Sequence, residues 1–222
     1  MKRDIANILV IKNYGIGFGD NIRGTAAWSS LKEKYYDSNI YALFWASATG
    51  TASEWVYKNC DAFSGFFVVE KRERKNMLGR WVTLSSWNNI LSQIVSICDK
   101  YNITHAIDQE PHGLDGAMLS LWLRLHGIKT IGVNQYPGKR LFYNMSGPSE
   151  RRYAKLHGLE YPLEYTEKDY LSLAPLGVFR NGKQISVTHP DKDEANKRLL
   201  DLIGRRRLID SSICLLYTSP SP

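Results

Sequence analysis

The sequence predicts an α/β protein built on a parallel sheet with helices on both faces. Short apolar runs alternate with stretches of helical periodicity, and the links between them are short. The first apolar run is β-branched and passes through a glycine cluster into a helical stretch. The composition is that of an ordinary globular chain, with 43% hydrophobic and 23% charged residues. That excludes a disordered tail, a collagen-like chain and a low-complexity protein.

Taken in order, Ile5–Lys12 is apolar and β-branched and reads as a buried strand. Gly15-Ile16-Gly17-Phe18-Gly19-Asp20 follows, then a helical segment to about Tyr36. Asn39–Trp45 is a second strand, Ser53–Lys58 a short helix and Phe66–Val69 a third strand. Residues 71–80 read as a loop. Trp87–Tyr101 carries apolar side chains at Ile90, Leu91, Ile94, Ile97, Cys98 and Tyr101, the spacing of a helix with one buried face. Ile103–Asp108 is a strand ending in a carboxylate.

Leu114–His126 is a second amphipathic helix, with Gly127 placed to terminate it in the left-handed conformation. Lys129–Val133 is the next strand. Residues 136–149 contain Pro137, Gly138, Gly147 and Pro148 and read as a loop with a short strand inside. Glu167–Leu173 is predicted helical. A last helix starts near Pro190, a residue favoured at the first helical position. Asp191, Asp193 and Glu194 suit its positive end and Arg205–Arg207 its negative end. There is no internal repeat.

At 222 residues the chain has room for one domain of ~100–200 residues and a fraction of another. Its net charge of +7 is local: residues 71–80 contribute +4 and Arg205–Arg207 the rest. Two patches argue for a local anion site rather than a general nucleic-acid coat. Cys60, Cys98 and Cys214 have neither metal-ligand nor disulfide spacing, which suits a reducing compartment. No apolar run approaches the ~18 residues of a membrane span, and Ile8–Ile11 is too short for a signal-peptide core. The expectation is a cytoplasmic protein.

The end of the chain reads differently. Residues 214–222, CLLYTSPSP, follow RRRLIDSSI without completing an element. They resemble the translation of a sequencing-library adapter. On that reading they lie outside fold reasoning, and the natural polypeptide continues beyond Ile213.

The glycine-rich turn is the chief functional signal. A strand, a glycine turn and a helix N-terminus form an anion cradle, because free N–H groups and the positive helix end face the ligand. The pattern here is G-x-G-x-G-D, neither the dinucleotide fingerprint nor a Walker loop. Asp20 reads equally as a helix cap or as a general base aimed into the crevice at the strand ends. His105 and Asp108 stand three apart on one strand and so point to opposite faces. Asp108 reads either as a crevice residue or as a cap on the following turn. His112 and Asp115 belong to no nucleophile motif. Trp81 and Trp87 flank the basic loop.

The segment ILVIKNYGIGFGDNIRGTAAWSSLKEKYYDSNIYAL resembles the opening of the glycosyltransferase family 9 enzymes, the ADP-heptose:lipopolysaccharide heptosyltransferases and their relatives. So do ITHAIDQEPHGLDGAMLSLWLRLHGIKTIGVNQYPGKRLFY, EYTEKDYLSLAPLGV and HPDKDEANKRLL, in that order, over about residues 5–204. Departures stand at Gly15, Asn21, Arg23 and Ala26.

The resemblance implies the N-terminal, acceptor-side half of a two-domain GT-B fold. Residues 1–188 would be the Rossmann-like domain, and 189–213 a linker helix toward a donor domain outside this chain. It implies that Asp20 matches the family's general base, which deprotonates an acceptor hydroxyl as it attacks the anomeric carbon. A nucleoside diphosphate would leave in a single inverting displacement, without a cofactor or a bound metal. Gly17 and Gly19 would lie beside donor diphosphate or acceptor sugar. Lys71, Arg72, Arg74 and Lys75 would face a phosphorylated, lipid-linked saccharide acceptor at the cytoplasmic face of the inner membrane. The half alone would be inactive. The alternative is a non-catalytic Rossmann-like module that binds an anionic ligand through the same turn and loop.

Overall fold

A computed structural model describes residues 7–12, 18–46, 52–70, 84–109 and 114–180. The basic loop 71–80, the helix expected near Pro190, the linker and the adapter-like tail lie outside the described residues.

Six strands form one parallel sheet: β1 (Asn7–Lys12), β2 (Asn39–Ala46), β3 (Gly65–Glu70), β4 (His105–Asp108), β5 (Lys129–Val133) and β6 (Met145–Gly147). Their order is β3-β2-β1-β4-β5-β6. The chain therefore winds outward from β1 in one direction, then returns to β4 and winds outward in the other. The switch point lies between β1 and β4, where α/β proteins form a crevice at the carboxyl ends of the strands.

The strand period of two sorts side chains between two helical layers. Ile8 and Val10 of β1, with Ile40, Ala42 and Phe44 of β2, pack against α1 (Phe18–Lys34) and α2 (Ala52–Lys58) through Ala27, Trp28, Leu31, Val56 and Tyr57. Leu9, Ile11 and Leu43 face the other way. They pack against α3 (Leu84–Lys100) and α4 (Leu114–Leu125) through Ile90, Leu91, Ile94, Cys98, Leu119 and Leu123. The predicted apolar face of α3 is the buried one. Gly127 has φ of 82° and ends α4 as its sequence position requires.

Two stretches differ from the sequence reading. Glu150–His157 is a helix, α5, that periodicity does not reveal. It is barely two turns long, polar, and buries only Glu150, Tyr153 and Ala154. The predicted helix Glu167–Leu173 is instead one short turn, α6 (Tyr165–Lys168), followed by turns and a 3₁₀ turn at Ala174–Leu176. Residues 169–173 are buried without a break, which a helix with one wet face cannot achieve. With the turns on either side they form a strap, residues 165–177, laid along α1. Tyr170 Oη meets Ser30 Oγ at 3.1 Å, Tyr35 Oη donates to the Leu176 carbonyl at 3.3 Å, and Lys34 Nζ donates to that of Gly177 at 2.7 Å.

Candidate functional site

The glycine-turn strand and its helix meet at the switch point. β1 ends at Lys12 and α1 begins at Phe18, so Gly19 and Asp20 are the second and third residues of the helix. Asp20 thus sits inside the first turn, where the helix dipole favours a carboxylate, and its side chain is 37% exposed. Gly17, Lys71, Arg72, Arg74 and Lys75 lie outside the described residues.

Asp20 belongs to a chain of four charges. Arg23, one helical turn on, holds Asp20 Oδ1 with Nη1 at 2.7 Å. Arg23 Nε donates to Asp169 Oδ2 at 3.1 Å, and Lys12 Nζ to Asp169 Oδ1 at 3.0 Å. Lys12 and Asp169 are buried, whereas Arg23 is partly open to solvent. Burial opposes the charge on Arg23, but the field of Asp169 and the hydrogen bonds to Asp20 and Asp169 outweigh it. The guanidinium pKa is accordingly raised. The Tyr165 ring lies against the same guanidinium, 5.1 Å from its carbon. Two cations face two anions, so the network is electroneutral. It fixes a carboxylate in place rather than supplying net positive charge for a phosphate.

Beneath the charges is a polar clamp. Trp28 Nε1 donates to Gln109 Oε1 at 2.7 Å, and Gln109 Nε2 donates to the Asp169 carbonyl at 3.3 Å. The Gln109 backbone N–H reaches the Ile11 carbonyl at 3.0 Å. One residue after β4 thereby ties β1, α1 and the strap together. The Trp28 indole lies back over Gly24, where a β-carbon would stand 2.8 Å from Cζ2. Tyr57 Oη donates to Asn21 Oδ1 at 2.8 Å and fixes the first turn of α1 from the other side.

Asp108, at the neighbouring strand end, is enclosed. It accepts the Tyr143 hydroxyl at 2.6 Å and abuts Gly116 in the first turn of α4. Burial first, then the Asp108 charge and hydrogen bond, push the Tyr143 phenol far up. Asp108 is 1% exposed and so does not line an open crevice. His105 points to the opposite face and bonds Thr104 Oγ1 through Nδ1 at 2.9 Å. Burial pushes the Cys60 and Cys98 thiols up to about 11 and about 12, which leaves them poor nucleophiles.

Sequence reasoning selects Asp20 but misses Lys12, Gln109 and Asp169, and meets Arg23 only as a departure from the family pattern. One signal is present. Lys12 closes an otherwise apolar buried strand, a position that demands a partner.

No family model matches the sequence, and no curated protein matches it. Solved structures do match its fold. A family 9 glycosyltransferase from Veillonella parvula DSM 2008 superimposes with a TM-score of 0.60 at 17% identity, over 95% of this chain and 52% of that one. The E. coli heptosyltransferase WaaC, solved with ADP-2-deoxy-2-fluoro heptose, gives 0.56 at 15% identity, over 81% of this chain and 51% of that one. The chain carries half of a GT-B fold. It spans about half the length of the structures it matches. Among the described residues no helix is long and apolar enough to cross a membrane.

Proposed function

We propose that this chain is the acceptor-side domain of an inverting glycosyltransferase. It would move heptose or a related sugar from an ADP-heptose-type donor to a lipopolysaccharide-core-type acceptor. The observation that carries the reading is Asp20, a partly exposed carboxylate held by Arg23 in the first turn of α1, beside the switch point of the sheet. The likeness in fold to a family 9 glycosyltransferase supports it, as does the E. coli relative solved with ADP and with a fluorinated ADP-heptose.

Asp20 takes the proton from an acceptor hydroxyl as that oxygen attacks the anomeric carbon. The bond to the nucleoside diphosphate breaks on the opposite side, and the anomeric centre inverts. Such displacement needs a base within hydrogen-bond reach of the hydroxyl, and a partly exposed carboxylate at the switch point is a group able to serve. Gly17 and Gly19 are assigned to donor or acceptor contact, and Lys71, Arg72, Arg74 and Lys75 to acceptor phosphates. We assign no cofactor or metal, and a cytoplasmic place at the inner membrane surface. The donor half lies outside this chain, so the chain alone does not transfer sugar.

The test is Asp20→Asn in the complete gene product, assayed with ADP-heptose and a lipopolysaccharide core lacking the transferred heptose. The expected loss in kcat is about 10²- to 10⁴-fold. Unchanged turnover in that variant would remove the role of base from Asp20.

A further inference from the structure

We infer that Arg23 is a positioning residue, fixed by Asp169 of the strap, so that the seating of residues 165–177 sets the aim of the Asp20 carboxylate. This deepens the reading of Asp20 as base and rests on it.

The geometry has a direction. An α-helix puts residues 20 and 23 on one face, so Arg23 can reach Asp20 without distortion. An exposed pair of this kind, left alone, rotates through many arrangements. Here Arg23 is not left alone. Its Nε is committed to Asp169 Oδ2 and its plane rests by Tyr165, leaving Nη1 for Asp20. The guanidinium is a rigid fork, so fixing one edge fixes the other. Asp169 is fixed in turn, because Lys12 holds its second oxygen in a buried pair at 3.0 Å and Gln109 holds its carbonyl.

Among the described residues, both of the groups that orient Arg23 from outside α1 belong to the strap. Tyr165 and Asp169 stand at its start, and Tyr170, Leu176 and Gly177 pin it further down α1. A displacement of the strap therefore reaches Asp20 through one side chain. A lysine in place of Arg23 has the charge but no fork, and can hold one carboxylate without registering the other.

Four forms of the complete gene product test this: wild type, Asp20→Asn, Arg23→Gln and the double variant, under the same transfer assay. Arg23→Gln is expected to lower kcat about 10- to 100-fold with KM nearly unchanged, the size of effect a ~1 Å misplacement produces. The double variant is expected to be no slower than Asp20→Asn, because Arg23 acts only through that carboxylate. Arg23→Lys should restore only part of the loss.

Losses that multiply in the double variant, or a raised KM at constant kcat, would overturn the inference. If Asp20→Asn keeps its rate, the base assignment fails first. If Asp20→Asn is inactive and Arg23→Gln is normal, the inference alone fails. The link is also read without turnover, by nitrogen NMR of the Arg23 Nε–H in this chain. The signal should be protected from exchange and should shift in Asp169→Asn. A freely exchanging Nε–H would sink the proposal whatever the assay gives.

Discussion

Asp20 and Asp108 start from the same local circumstances and end in opposite ones. Each is a carboxylate beside the first turn of a helix that follows a parallel strand, and their strands are neighbours in the sheet. Asp108 faces the α3/α4 layer, takes a phenol as its partner and is sealed from water. Asp20 stays partly exposed and takes an arginine whose other edge is committed elsewhere. The strand–turn–helix unit delivers a carboxylate to the positive end of a helix. The neighbours then decide whether it fastens the fold or stays open to solvent.

The largest expected effect breaks the comparison by exchanging the two roles. If the proposed function holds, Asp20→Asn in the complete gene product should abolish most of the transfer rate while thermal melts stay close to wild type. Asp108→Asn should do the reverse, melting earlier with kcat preserved in the folded fraction.

Asp169→Ala comes next. It strips the buried Lys12 of its counterion, and breaking a buried pair from one side costs about 3–5 kcal/mol. Urea unfolding at neutral pH measures it. A loss below about 1 kcal/mol would mean that water reaches Lys12.

Alkaline pH sharpens the contrast on the sealed side. The folded pKa of Cys98 is pushed up to about 12 by burial, and the Tyr143 phenol is also raised. The native state therefore holds protons that the unfolded chain releases, so stability falls as pH climbs through the range between the unfolded and folded values. Each such group contributes a slope of up to about 1.4 kcal/mol per pH unit. For Cys98 the range runs from 9.0, the unperturbed thiol value, to about 12. Denaturant midpoints at pH 8, 9 and 10 should decline, and the decline should be shallower in Cys98→Ala.

Of comparable size is Gly24→Ala. Its new methyl meets the Trp28 indole at 2.8 Å, and overpacking of this kind costs about 1–3 kcal/mol. Weakening of the Trp28–Gln109 bond should appear as a change in tryptophan fluorescence. An unchanged spectrum and melt would show that the indole can yield.

How much of this can be read in advance depends on the distance over which each feature is written. Lys129–Val133 is the strand expected, because five neighbouring residues carry its signal. Gly127 terminates α4 for a reason contained in its own missing side chain. α5 escapes because two polar turns leave no periodicity to detect. The strap reads as a helix because its apolar residues fall by chance near helical spacing, whereas their continuous burial is set by α1 on one side and by β5 and α5 on the other. Within the site, Asp20 is visible through its glycines. Arg23, Gln109 and Asp169 are not, since nothing local to any of them announces a partner 60 to 157 residues away.

The Lys12–Asp169 pair also has a meaning in time. Its partners are 157 positions apart, so it closes a very large loop and contributes nothing until most of the domain has been made. During synthesis at roughly 5–20 residues per second, Lys12 spends about ten seconds or more at the end of an apolar strand with no counterion. The central strand therefore cannot complete its burial early. Its last residue gains its counterion only when Asp169 arrives, after every strand of the sheet has been synthesised. A ribosome stalled short of that residue would hold a sheet whose middle strand still needs water at one end.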